Sequence, residues 1–228
     1  MKILTPAKIN PLLYILGKRK DGFHELYMHM VPVSLFDKLS FSNNNKKGLI
    51  FHVKGATFSE PQEDNLVVRA VRLFEEVAGV TADLDINLEK HIPSCAGLGG
   101  GSGNAAGTLR ALNNIFRLSS TSPGLLPPET LFELALELGS DVPFFLEPSP
   151  CEIRGRGEKL IPLTEYPEFL LVIIKPALSI PTPDAYLNCL PEERTSFPEV
   201  KSFADLKSHL NNQFETSLLS QYPLLSEL

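Results

Sequence analysis

The chain has 228 residues, 43% of them apolar and 21% charged, enough to bury one large core or two small ones without covalent staples. Its formal net charge of −6 and sequence pI near 5.4, with no basic stripe, argue against a nucleic-acid partner. Cys95, Cys151 and Cys189 form no close pair, which argues against a disulfide framework or a zinc site and points to a reducing compartment.

In chain order, MKILTPAKINPLLYILGKRK is apolar only in patches, interrupted by Pro6, Lys8, Asn10 and Pro11. It reads as neither signal peptide nor membrane span, so a cytoplasmic chain with no membrane partner is expected. ILTPAKI and LLYILG are short strand candidates, and LIFHVK (49–54) is a third. NLVVRAVRLFEEVAG (65–79) sets Val67, Ala70, Val71, Phe74 and Ala78 at helical spacing, with Asp64 as cap and Gly79 as stop. DLDINLE (83–89) alternates: Leu84, Ile86 and Leu88 face one way, as in a half-buried strand. A second helix is expected to begin near Ser102 or Asn104, with Ala105, Leu109, Leu112 and Phe116 on one face. After the loop LSSTSPGLLPP, ETLFELALELG (129–139) gives a third, placing Leu131, Leu134, Ala135 and Leu138 together. FLLVIIK (169–175), bounded by Pro167 and Pro176, reads as a buried strand. Pro181, Pro183 and Pro191 then mark an irregular stretch before a mostly helical tail. The fold class is α+β, strands first with helices packed on a mixed sheet, and a boundary falls near 150–165.

Residues 93–108, PSCAGLGGGSGNAAGT, place five glycines (Gly97, Gly99, Gly100, Gly101 and Gly103) at a helix entrance, where glycine stabilises nothing locally. A P-loop is excluded because no lysine follows the glycines. GSGNAA (101–106) matches a dinucleotide fingerprint, but the strand at 83–89 ends too early and no acid stands at the required distance. A different phosphate-binding loop fits better: successive backbone N–H groups and the positive end of the helix would hold a phosphate chain without a side-chain cation. A linker or structural turn is the alternative, although linkers are not flanked by a patterned strand and a patterned helix.

Chemistry beside such a loop needs a base. Asp141, in GSDVPFF (139–145), qualifies; it equally suits a helix cap, with Pro143 in the first turn. Lys8 stands in a strand-like stretch, where a lysine ordinarily faces solvent. His24 follows a DG turn and an aromatic; with His29 it makes no persuasive metal spacing, so no protein metal ligand is expected.

PAKIN (6–10), PSCAGLGGGSGNAA (93–106) and GSDVPFF (139–145) together resemble, in order and separation, the small-molecule kinase superfamily named for galactokinase, homoserine kinase, mevalonate kinase and phosphomevalonate kinase. PAKINPLLYILGKRKDGFHEL (6–26), EDNLVVRA (63–70) and SIPTPDAY (179–186) are similar to one branch of it, which phosphorylates the erythritol 2-hydroxyl of a cytidine diphosphate substrate on the non-mevalonate isoprenoid route. The resemblance implies a two-lobed fold, with a nucleotide-binding lobe over 1–155 and a C-terminal lobe over 156–228. It implies ATP, with Mg²⁺ arriving on the nucleotide, small-molecule substrates, and a monomer or weak dimer. It assigns Lys8 and Asp141 to catalysis. The ATP phosphate loop becomes Pro93, Ser94, Cys95, Ala96, Gly97, Leu98, Gly99, Gly100, Gly101, Ser102 and Gly103, with Asn65 near the adenine. Phe23 and Tyr186 would sandwich the cytosine, His24 would read its edge, and Asn10 and Thr182 would lie near the reacting groups.

Two departures stand out. Ser94, Cys95 and Ala96 occupy positions where the family carries more glycine, and Gly103 replaces the second serine of a pair, leaving Ser102 as the hydroxyl. The family's late glycine-rich block has no counterpart before Leu228, so an incomplete second lobe is expected. The rival readings are a homoserine- or mevalonate-type kinase of the same superfamily, and a truncated, non-catalytic nucleotide-binding module.

Overall fold

A computed structural model describes residues 1–55, 61–117, 126–178, 180, 185–186 and 189–227. The two apolar patches before residue 18 join into one strand, β1 (Lys2–Lys18), rather than two. A tight turn follows, in which Gly22 takes φ 88° and Arg19 N–H donates to Phe23 C=O at 2.8 Å. It leads into β2 (His24–Asn43), a strand that the sequence pattern did not announce. Leu26 to Val31 are all buried, so β2 shows no alternation there. Pro32, which has no N–H for a ladder, falls between the stretch that pairs at Leu26–Met30 and the stretch that pairs at Lys38–Asn43.

The described residues form two compact units. The first holds residues 1–7, 33–94 and 98–148. In it β2 pairs antiparallel with β4 (Leu84–Glu89), and β3 (Ile50–Lys54) lies parallel to β4 on the other side. Leu84, Ile86 and Leu88 are buried, as the alternation predicts. Helix α1 (Leu66–Ala78) buries Val67, Ala70, Val71 and Phe74 and stops at Gly79, whose φ of 64° is left-handed. Its cap is Asn65, not Asp64: the Asn65 side chain accepts from Val67 N–H, while Asp64 belongs to the preceding 3-10 turn. Helix α2 (Gly100–Arg117) begins two residues before the earlier of the two expected starts, and α3 spans Pro128–Leu138. These three helices pack on one another, with Phe116 of α2 stacked on Phe74 of α1 at 5.9 Å. Close approach of α2 to β1 depends on Gly107, where a Cβ would lie 2.5 Å from Thr5 Cγ2.

The second unit holds residues 8–32, 95–97 and 149–228. Here β2 pairs with β5 (Cys151–Gly155), β5 with β6 (Lys159–Pro162), and β1 runs parallel to the short β7 (Asn211–Asn212). The core joins Leu12, Tyr14 and Tyr27 to Val200 and Leu206, and Phe197 lies flat on Tyr27 at 3.7 Å. Helix α4 (Phe203–His209) opens on a capping box between Ser202 and Asp205, and α5 covers Phe214–Gln221. The buried strand expected at 169–175 is corrected. That stretch is irregular and has no ladder partner among the described residues, and Leu170 is fully exposed with Val172 close behind. An apolar run buries itself only where another surface covers it. No helix among the described residues is long and apolar enough to cross a membrane.

Candidate active site

The glycine run splits into a loop and a helix entrance. Cys95, Gly97 and Gly99 take positive φ, at 51°, 69° and 67°, while Gly100, Gly101, Ser102 and Gly103 already belong to α2. The first i→i−4 bond of α2 runs from Gly103 N–H to Gly99 C=O at 2.8 Å, so the N–H groups of Gly100, Gly101 and Ser102 precede the intrahelical ladder. The first turn carries no acidic side chain. N–H groups ahead of the intrahelical ladder and a first turn without an acidic side chain make this end receptive to an anion. Two of these glycines also sit in tight surroundings. A Cβ on Gly100 would stand 2.9 Å from Lys90 Nζ and 3.0 Å from Ile92 Cγ2, and one on Gly103 would stand 3.2 Å from the Pro6 carbonyl oxygen. Cys95 is exposed and, among the described residues, alone of the non-glycines in having positive φ.

Asn65, expected near the adenine, spends its side-chain oxygen on capping α1 at 3.0 Å from Val67 N. Asp141 is half-buried, at the turn that follows α3. The next element, the 3-10 turn Pro143–Leu146, is entered from Val142, one residue after Asp141.

In the second unit Lys8 and Asn10 stand two apart on β1, hence on one face of it. Lys8 is only 7% exposed, which rules out the solvent-facing alternative. Its ammonium donates to Asn10 Oδ1 at 2.5 Å, and Asn10 Nδ2 donates in turn to the His29 carbonyl at 3.3 Å. Asn10 thus fixes Lys8 against β2. Behind it lies a buried group that the sequence did not single out. Tyr27 OH and His29 Nε2 share a hydrogen bond of 3.1 Å, and the Tyr166 ring meets His29 edge-on at 5.6 Å. Burial pushes the His29 imidazole down to about 4, against a weaker opposing pull from Glu152. Burial likewise pushes the Tyr166 hydroxyl up to about 12.

The residues expected around the cytosine pair differently from a simple sandwich. His24 stacks on Tyr186 at 4.9 Å and 15°, and Phe214 braces Tyr186 edge-on at 4.8 Å. Phe23 is 46% exposed and lies under the Arg156 guanidinium, 4.9 Å from its ring centre. Arg156, from the β5–β6 turn, was invisible to sequence reasoning because no motif marks it. Thr182 lies outside the described residues. Among the described residues no three His, Cys, Asp or Glu side chains cluster as a metal cage.

Residues 65–147 match the family model described as the GHMP kinases N terminal domain. The 4-diphosphocytidyl-2-C-methyl-D-erythritol kinase of Syntrophus aciditrophicus is 38% identical over 233 residues, covering 100% of this chain and 81% of that relative. The enzyme of the same name from Heliobacterium modesticaldum is 41% identical over 186 residues; that match covers 82% of this chain and 57% of the relative, somewhat over half its length. A crystal structure of 4-(cytidine 5'-diphospho)-2C-methyl-D-erythritol kinase superposes with a TM-score of 0.77 at 34% identity, over 100% of this chain and 80% of that one.

Proposed function

The chain belongs to the family of 4-diphosphocytidyl-2-C-methyl-D-erythritol kinases, and from that premise we propose that it transfers the γ-phosphoryl group of ATP to the 2-hydroxyl of 4-diphosphocytidyl-2-C-methyl-D-erythritol. The observation that carries the reading is a likeness spanning the whole chain, with 34% identity to a solved enzyme of that name. The local geometry agrees with it. The left-handed residues Cys95, Gly97 and Gly99 turn the backbone into the start of α2, whose leading N–H groups would face the phosphates.

Phosphoryl transfer asks mainly for positioning and charge stabilisation. Asp141 would take the proton of the attacking hydroxyl, and Lys8, held by Asn10, would offset charge developing on the transferred group. Mg²⁺ would come with the nucleotide and neutralise phosphate charge, and the Ser102 hydroxyl, at the start of α2, would help to hold it. His24 stacked on Tyr186 would receive the cytosine, with Phe23 and Arg156 beside it. Thr182 would stand near the reacting groups.

The test is ATP turnover with three acceptors: the cytidylyl substrate, homoserine and mevalonate. Preference for the first supports the reading. Preference for either of the others moves the chain to a sister branch of the superfamily, and no turnover with intact ATP binding leaves a binding module.

A further inference from the structure

Asp37 of β2 is fully buried, and its carboxylate gathers four donors. Oδ1 accepts from His91 N–H at 2.7 Å and from Ile92 N–H at 2.8 Å. Oδ2 accepts from Asn104 Nδ2 at 2.9 Å and from the Lys90 ammonium at 2.8 Å. Lys90 also donates to the Ile92 carbonyl, and Thr5 donates to Asn104 Oδ1 at 2.6 Å. His91 and Ile92 immediately precede the glycine-rich stretch, and Asn104 immediately follows it. One carboxylate therefore holds both ends of residues 93–103. The remaining contacts tighten the same knot, since Gly100 packs directly on Lys90 and Ile92.

A glycine-rich loop is entropically costly to order, and backbone N–H groups bind phosphate well only when they are already aimed. The geometry points to Asp37 as a positioning residue for nucleotide: it fixes the two stems of the loop so that the phosphate-facing N–H groups are preorganised. This rests on the reading of Pro93–Gly103 as the ATP phosphate loop. Asp37 touches no nucleotide in this role and acts through Ile92 and Asn104. Asn at position 37 would keep an acceptor for His91 and Ile92 but present its own N–H₂ both to the N–H₂ of Asn104 and to the Lys90 ammonium, so the rear stem would be released. The exchange Asp37→Asn with Asn104→Asp restores that bond with donor and acceptor reversed. It leaves Thr5 a carboxylate oxygen to bond and keeps one negative charge in the cluster.

The experiment combines amide hydrogen exchange on the free protein with calorimetric titration of AMP-PNP, for wild type, Asp37→Asn and the exchanged double variant. Asp37→Asn is expected to speed exchange in peptides covering 93–103 selectively and to raise the AMP-PNP Kd by about tenfold, the scale of one lost charge-assisted hydrogen bond. Affinity for the cytidylyl substrate should stay the same, and the double variant should move both properties back toward wild type, short of the bond that Lys90 makes to the Asp37 carboxylate. Should Asp37→Asn not fold, Asn104→Ala replaces it, because it releases the rear stem while leaving Asp37 paired with Lys90. A folded variant whose loop exchange and AMP-PNP affinity match wild type overturns the proposal, and so does exchange that accelerates equally across the chain. Wild type that fails to bind AMP-PNP would instead overturn the nucleotide reading itself, and with it the role proposed for Asp37.

Discussion

His29 gives the structure a measurable pH dependence. Its imidazole is 2% exposed and titrates at about 4 in the folded chain against 6.5 when free, with burial as the main cause. The folded state holds the neutral ring, so the unfolded state takes up a proton first as pH falls. Stability from this residue is complete above pH 6.5 and drains away between 6.5 and 4. Between pH 7 and pH 5 the two titrations imply a loss of about 2 kcal/mol, since each tenfold difference in proton affinity between the two states corresponds to about 1.4 kcal/mol. Other groups titrate in the same range, so the informative quantity is a difference. His29→Gln keeps a polar partner for Tyr27 OH but cannot be protonated. Urea unfolding of both proteins at pH 5, 6, 7 and 8 should show the wild-type profile falling more steeply than the variant's by that amount. Parallel profiles between pH 5 and pH 7 would refute the argument, because they would mean that His29 is as easily protonated folded as unfolded.

Cys95→Gly should stabilise the chain by about 1 kcal/mol, as a left-handed non-glycine residue is relieved of its Cβ; an unchanged or lower melting temperature counts against it. Iodoacetamide should label exposed Cys95 before buried Cys151, whose thiol burial pushes up, and peptide mapping reads the order. Gly100→Val should weaken ATP binding and also cost about 1–3 kcal/mol of stability, because its side chain would enter the space held by Lys90 and Ile92; calorimetry and thermal melts measure the two effects separately. Asp141→Asn should lower kcat by about 10²–10⁴ with ATP affinity kept, and steady-state kinetics showing full turnover would remove Asp141 from the mechanism. Tyr186→Ala should raise KM for the cytidylyl substrate while leaving KM for ATP in place, since it removes the surface on which His24 stacks.

What could be read from the sequence was what is decided locally. Helix α1 carries its own stripe and its own stop at Gly79, and β4 its own alternation, so both were legible. Strand β2 was not, because Leu26–Val31 are buried throughout and Pro32 interrupts the pattern, so neither period appears. The run at 169–175 misled for the opposite reason: its composition is that of a strand, but pairing is a property of the neighbour. At the glycine stretch, propensity argued for a late helix start, yet α2 begins at Gly100, where packing on Ile92 and Lys90 outweighs the cost of glycine. The candidate site residues rest on the likeness of three motifs to a kinase superfamily. Asp37 and Lys90, 53 positions apart, form a pair that no local pattern reveals.

The discontinuous second unit bears on synthesis. Leu12, Tyr14 and Tyr27 emerge early from the ribosome, but Val200 and Leu206, which cover them, come nearly two hundred residues after Leu12. The parallel partner of Leu12 and Leu13 is later still, at Asn211 and Asn212. The first unit needs nothing beyond residue 148, so it has the means to close while the chain is still being made. At roughly 5–20 residues per second, the apolar hairpin of residues 8–32 must wait for several seconds after that point. During that interval it presents aromatic surface and unpaired strand edge to whatever is nearby, the kind of surface that a chaperone covers.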